Sequence, residues 1–325
     1  MKIHSTFKVA LMNKNIQICI FGFVLCVIFH LGSPNKLNAQ EAGYFNHQYL
    51  IPVLINPAAT GFNGDHQIMA AYKHNYSDFA GAPRTFSALY HGSFADKVGL
   101  GVQLLTDQVG VARLFHGQIN YAYRLTFNTA KISFGLSTGL QNFRVTDTEN
   151  DPLLDPNDLL LQAAQDGYLL FDGSAGVYGE VDEKFIFGIS FPNVVKQRIE
   201  EITGEVVIDD LKSFPYAVQL GYRHNVKNYN FMVEPSITVR DLRYSPFLID
   251  LNLKLSFLED QLIGGLGYTI GDNSKVALLL GTRLDNLRFF YSYDVSLGDF
   301  QDYNTGSHEL TLLFKLPAKT AAIEE

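Results

Sequence analysis

The sequence predicts an all-β protein, a transmembrane antiparallel up-and-down β-barrel of about fourteen strands with an N-terminal segment suited to plug the lumen. Three observations carry this expectation. Apolar and polar residues alternate with period two in run after run, which puts the two sets on opposite faces of a strand. Most runs reach the ~9–11 residues that a tilted strand needs to cross a membrane, against ~5–6 in soluble sheets. Short connections recur after the even-numbered runs and the long ones fall after odd-numbered runs, the pattern of periplasmic turns and external loops.

The N-terminus comes first. Lys2, Lys8 and Lys14 precede an apolar run from Ile16 to Leu31, broken only by Gln17, Gly22 and His30. A polar stretch then leads to Leu37-Asn38-Ala39 before Gln40. This order reads as a secretory signal peptide, residues 1–39, cleaved after Ala39. The competing readings are a retained anchor and a lipidated Cys26, but Leu25 stands where lipidation wants a small residue. Both cysteines, Cys19 and Cys26, lie in this segment. The rest of the chain therefore has no disulfide, thiol nucleophile or cysteine–zinc chemistry. A cysteine-free barrel also crosses an oxidising periplasm without mispairing.

Residues 40–64 form a second unit. They do not alternate, and Pro52 and Pro57 forbid a central strand. The segment is too apolar for a free tail, and fourteen strands leave a cavity that it can fill. Asn56, Pro57, Ala58 and Gly61 are its candidate motif.

The barrel proper is expected over 65–317, with a periplasmic tail at 318–325. Its first run lies near 66–74 and its last near 308–316. In 249–257, Ile249, Leu251, Leu253, Leu255 and Phe257 alternate with Asp250, Asn252, Lys254 and Ser256. Short connections are Ala95-Asp96-Lys97, Asp182-Glu183, Lys227-Asn228, Leu258-Glu259-Asp260 and Asp285-Asn286. The long ones are 145–170 and 193–213. A soluble β-sandwich would also alternate, but it requires neither the leader, nor strands this long, nor the loop parity. The apolar face is rich in Phe and Tyr, as lipid-facing girdles are.

The second face of the strands carries the lumen residues, among them Arg124, Glu180, Arg223, Glu234, Arg240 and Asp250, and further on Lys254, Arg283, Arg288, Asp294, Glu309 and Lys315. Mixed charges of this kind are expected to pair with one another, with an ion-selective path as the alternative. The glycine doublet Gly264-Gly265 is expected to ease barrel curvature.

Two long loops have local signals. Asp155, Pro156 and Gly167 are start and stop signals for a short helix near 156–165. Residues 199–208 bracket Thr203-Gly204 and suit a hairpin. The first loop is acidic around Leu159, Leu160 and Leu161, and the second carries Lys196 and Arg198. These residues are the candidate partner-binding positions.

Several chemistries are disfavoured. The net charge is −8, and loss of the leader removes lysines but no acids, so nucleic acid is not an expected partner. Ser87 and His91 share a strand face but stand four residues apart, too far for direct contact at ~3.3 Å per residue. No enzymatic activity is expected, and no catalytic residue, cofactor or metal site. Asp151, Asp155 and Asp158 fit no calcium-loop spacing.

An ordered set of short motifs then gives a family resemblance. It begins with Tyr44 to Tyr49 and Asn56-Pro57-Ala58 to Gly61. Gly81-Ala82-Pro83 with Thr85, Asp107 with Gly110, and Tyr121-Ala122-Tyr123-Arg124 follow. Phe134-Gly135-Leu136, Phe187-Gly188-Ile189-Ser190, Pro235-Ser236, Tyr291-Ser292-Tyr293-Asp294 and Ser307-His308-Glu309-Leu310 complete it. The chain resembles the PorP/SprF family, outer-membrane proteins of the type IX secretion system of Bacteroidetes. Where that family shows Arg-x-Gln-Trp after the first strand, this chain has Lys73-His74-Asn75-Tyr76. The resemblance implies an outer-membrane location, embedded in lipid. It also implies other type IX secretion components as partners, and a role in secreting or anchoring a surface protein of the adhesin or gliding-motility type. A porin and a FadL-like transporter of hydrophobic substrates are the alternatives. The FadL-like family also has fourteen strands and an Asn-Pro-Ala motif in an N-terminal plug, but the charged lumen positions argue against it.

Overall fold

The computed structural model describes residues 44–79, 81–146, 159–199, 214–226, 230–242, 245–271, 274–298 and 304–316. The expected signal peptide, the tail at 318–325, the hairpin at 199–208 beyond its first residue and the acidic trio Asp151, Asp155 and Asp158 lie outside these residues.

The strands are β1 (His66–His74), β2 (Arg84–Ala95), β3 (Val98–Val109), β4 (Ala112–Thr126), β5 (Ala130–Val145), β6 (Tyr168–Val181) and β7 (Phe185–Arg198). Next come β8 (Tyr216–Tyr222, resumed as His224–Val226 after a break at Arg223), β9 (Phe231–Asp241) and β10 (Leu248–Phe257). Then β11 (Leu262–Ile270), β12 (Lys275–Leu284), β13 (Leu287–Ser296) and β14 (Ser307–Leu316) complete the wall. Each strand pairs antiparallel with its sequence neighbours. The first and last also pair, from His66 opposite Leu316 to His74 opposite His308, so the fourteen-strand sheet closes on itself. A closed barrel leaves no edge strand.

Alternation built this wall. Ile119, Leu136, Leu266, Leu278 and Leu280 are each more than half exposed. Such apolar exposure at alternate positions is a lipid-facing surface. Their neighbours Asn120, Ser137 and Leu279 turn inward and are buried. The connection at 285–286 is a two-residue turn with Asp285 at φ 50°, the left-handed geometry that matches the twist of paired strands.

Two expected boundaries move. β6 begins at Tyr168 and β7 runs on to Arg198, longer than the alternation indicated. The two strands pair across this extension, Leu170 opposite Arg198 and Asp172 opposite Lys196, after a bulge between Gly173 and Ala175. The bulge shifts the inward–outward phase, which hid the extension from a strict period-two reading. Lys196 and Arg198 are therefore strand residues rather than loop residues. Leu159, Leu160 and Leu161 open a short helix, α1 (Leu159–Asp166).

Residues 44–64 make three short 3₁₀ turns, at Asn46–Tyr49, Pro52–Leu54 and Pro57–Ala59. Proline at the start of the second and third fixes φ where no backbone donor is needed. Phe45, Ile51, Val53, Ala58, Ala59 and Phe62 are each 6% exposed or less. They pack with inward residues of the wall, including Met69, Ala71, Leu89, Tyr178 and Leu313. The apolar composition of this segment is thus answered by an apolar belt on the inner face.

Candidate functional site

The inner surface holds the segment at three levels. At the level of His66 and the short turns, Gly61 takes φ +64°, and its N–H donates to His91 Nδ1 at 3.1 Å. The Arg124 guanidinium donates to the carbonyls of Gly61 and Phe62, and to that of Asp96 in the β2–β3 turn. This explains both residues. His91 is a hydrogen-bond acceptor for the segment, and Arg124 meets carbonyls rather than a carboxylate. Ser87 Oγ donates to the Leu104 carbonyl, so the Ser87–His91 pair is occupied on both sides.

In mid-barrel, Asn56 Oδ1 accepts from the Ala58 N–H at 3.0 Å and caps the turn it begins. Its Nδ2 donates to the Val177 carbonyl at 3.0 Å and the Ile189 carbonyl at 3.4 Å, which belong to paired wall strands. A side chain reaches these carbonyls because the wall is bare here. A Cβ at Gly176 would lie 2.2 Å from Asn56 Oδ1, and one at Gly135 would lie 2.2 Å from the Ala58 nitrogen. The motifs Phe134-Gly135-Leu136 and Phe187-Gly188-Ile189 are therefore wall strands with an outward aromatic and a missing inward side chain. They form the seat for Asn56-Pro57-Ala58.

Higher in the barrel the contact is ionic. Glu309 is fully buried. Its carboxylate accepts from the Asn46 N–H at 2.6 Å and the His47 N–H at 2.9 Å. Lys73 Nζ donates to the Tyr44 carbonyl at 2.8 Å and Asn46 Oδ1 at 3.1 Å, and stands 3.9 Å from Glu309. Asn46 Nδ2 donates to Asp294 Oδ1 at 3.0 Å. Tyr44 lies under the Arg240 guanidinium, which is 5.5 Å from the ring centre. Burial pushes the Tyr44 hydroxyl up to about 12, with Arg240 opposing, so it stays protonated. The same burial raises Tyr49.

Sequence reasoning missed Lys73 and the role of Glu309. Their contacts with the segment span 29 and 263 positions respectively, beyond the reach of any local pattern. The expected lumen charges otherwise meet partners. Arg240 pairs with Asp250 at 2.8 Å, Lys254 with Glu234 at 2.9 Å, Arg223 with Glu180 at 3.3 Å and Arg288 with Asp260 at 3.3 Å.

His47 gives this end of the segment a pH dependence. Burial pulls its imidazole below the ordinary value; Glu309 and Asp294 oppose, and Lys73 reinforces. Nδ1 lies 2.8 Å from Thr311 Oγ1 and 3.0 Å from Glu309 Oε1, while Nε2 has no partner. The docked ring is therefore neutral with its proton on Nδ1, since a second proton on Nε2 would find no acceptor. An undocked His47 returns to about 6.5 and binds the additional proton. Docking is then strongest above that value and weakens as pH falls below it toward the docked value. Protease sensitivity of Tyr49–Phe62 is expected to rise between neutral pH and pH ~5.5. His47→Asn should abolish that rise, and an unchanged pH profile in the variant would refute the assignment.

Among the described residues, no cluster of three or more His, Cys, Asp or Glu side chains is arranged to hold a metal.

A family model described as "Type IX secretion system membrane protein PorP/SprF" matches residues 37–314. No curated protein matches. Among solved structures, the outer membrane protein Omp33 of Acinetobacter baumannii is similar at 7% identity, covering 79% of this chain and 100% of its own, with a TM-score of 0.48. A Pseudomonas aeruginosa FadL homologue has 10% identity, coverage of 80% and 91%, and a TM-score of 0.43. Outer membrane phospholipase A from Escherichia coli has 9% identity, coverage of 81% and 98%, and a TM-score of 0.35.

Proposed function

Because the chain belongs to the PorP/SprF family of type IX secretion membrane proteins, we propose that it is the outer-membrane component that helps to secrete, or to anchor at the surface, a partner surface protein. The family match over residues 37–314 is the observation that carries this reading. The ionic and apolar seating of residues 44–64 supports it against a passive porin, because an open pore has no need of a segment hydrogen-bonded to its inner wall at three levels. The buried charge pairs likewise oppose a path for hydrophobic substrates. Other secretion components are the further partners, and no catalytic turnover is part of the reading.

The connections between β5 and β6 and between β7 and β8 are the proposed contact surface. They leave the barrel at the end away from the short turns, and long loops on a rigid scaffold are where binding concentrates. Leu159, Leu160 and Leu161 at the start of α1 belong to the first. Lys196 and Arg198 lie on β7 just below the second. Replacing each connection by a short turn is expected to leave a folded, heat-modifiable barrel and to abolish surface display of the partner. Undiminished display with both connections shortened would refute the proposed contact. A large constitutive conductance of the intact protein in planar bilayers would favour the porin reading instead.

A further inference from the structure

A row of basic residues crosses the outer face of the wall at the end of the long connections. It runs over six neighbouring strands, from β14 through β1 to β5. In register it reads His308, His74, Arg84, Gln108, Arg113 and Arg144, each directly opposite the next. Alternation turns all six outward. The positions beside them, Glu309, Lys73 and Thr85, are buried on the inner face, and Leu114 and Gln141 line the lumen. His308 is held in place by Tyr291, whose hydroxyl lies 2.8 Å from its Nδ1.

The row borders the lipid-facing surface. One outward step toward the membrane, the same strands carry Leu310, Tyr72, Phe86 and Phe115, all exposed. The tilt of the strands inclines the basic row to the membrane plane, but it inclines this apolar row equally. Charge on the outer face is costly at the midplane and tolerated at the interface, so these cations mark the edge of the apolar band. The arrangement is one-sided. At the same end of β8, β9, β11, β12 and β13 the outward residues are Tyr216, Asp241, Ile270, Val276 and Val295, none of them basic. Nor does the wall neutralise its own charge. Arg84 and Arg144 are exposed, and neither guanidinium makes a hydrogen bond or ion pair among the described residues. Arg84 faces His74, and Arg144 faces Arg113. Like charges opposite each other destabilise a sheet, so an anion outside the sheet is the natural complement.

We propose that this row is a docking surface for the phosphate groups of lipid A, the phosphorylated glycolipid of the external leaflet. The planar fork of an arginine meets two phosphate oxygens at once. With strands ~4.8 Å apart, the row spans roughly 24 Å, room for more than one phosphate. Below each phosphate the acyl chains lie along the Leu310–Tyr72–Phe86 surface, so one lipid satisfies both rows. A protein partner would have to clear lipid from the apolar row immediately beneath. The inference rests on the outer-membrane location and on the external position of the long connections, not on the identity of the secreted protein. Lipid binding and surface display are separate readouts, so the two readings fail separately.

Native mass spectrometry of the detergent-solubilised full barrel tests it. The barrel is titrated with phosphorylated lipid A, with the same lipid dephosphorylated, and with phosphatidylglycerol. Phosphorylated lipid A is expected to remain bound, and loss of its phosphates should weaken binding about tenfold or more. Replacing both guanidinium groups, Arg84→Gln with Arg144→Gln, should weaken it by a similar factor. Lys184→Gln, in the exposed turn after β6 at the opposite end, should leave it unchanged. Heat-modifiable gel mobility verifies that each variant remains a folded barrel. No retention of phosphorylated lipid A overturns the proposal. Equal retention of the dephosphorylated lipid means acyl contacts alone and overturns it too. So does binding unchanged in the folded double variant, or phosphatidylglycerol held as tightly as lipid A, which would mean a surface for any anionic lipid.

Discussion

Glu309→Ala is expected to release the N-terminal segment from a barrel that still folds. The carboxylate is fully buried and accepts from two backbone donors of the segment, at Asn46 and His47. Removing it orphans both donors and leaves Lys73, 2% exposed, without its carboxylate neighbour. Losing one partner of a buried charged pair costs about 3–5 kcal/mol. At ~1.4 kcal/mol per decade, the docking equilibrium should fall by about two to three and a half orders of magnitude. Hydrogen exchange of the amides at 45–62, compared with wall amides of β4 and β5, measures this. The expectation fails if segment exchange rises less than tenfold. A double replacement, Lys73→Met with Glu309→Leu, should be less damaging than Glu309→Ala, because it leaves no lone buried charge. That comparison separates an electrostatic anchor from a packing effect.

Gly135→Val is expected to act from the middle of the segment. Even a Cβ at this position would lie 2.2 Å from the Ala58 nitrogen and 2.4 Å from the Pro57 carbonyl carbon. Both are backbone atoms on a proline turn, so no flexible side chain can yield. Overpacking of this kind costs about 1–3 kcal/mol when the surroundings relax, and more when they do not. The segment should be displaced from its seat, opening the lumen that fourteen strands enclose. Bilayer conductance of the variant should exceed that of the parent severalfold. Gly264→Val is the control, because a Cβ there has no neighbour within 4 Å. Equal conductance in parent and Gly135→Val would show that the segment does not govern the opening.

The wall was legible in the sequence because lipid and lumen impose opposite chemistry on alternate residues. The pattern in 249–257 covers β10 from its second residue to its last. Where one face stopped alternating the reading stopped too, as at the bulge after Gly173 that hides the upper part of β7. The lumen was legible in kind but not in pairing. Arg240 and Asp250 were both expected inside, but nothing local says that they face each other across β9 and β10. The segment's apolar character and its proline breaks pointed inward. Its seat could not be read, since Gly135 and Gly176 matter for what they omit, and an omitted side chain has no periodicity. Lys73 looked like an odd variant of a family motif. Its partners are brought together only by closure of the ring.

Lys73 and Glu309 sit on β1 and β14, opposite each other in register across the seam where the ring closes. Asp294, on the next strand, completes the grip on Asn46. The tip of the segment therefore works as a clasp over the joint between the two ends of the barrel. Its acceptor and its cation come from strands separated by nearly the whole chain, so the two meet, and the acceptor reaches the segment, only when the last strand has zipped onto the first. Long-range contacts of this kind form late, after the loop-closure entropy of the intervening chain has been met. A half-assembled sheet offers the Asn46 and His47 amides no carboxylate, and only the finished cylinder can hold its own leading end.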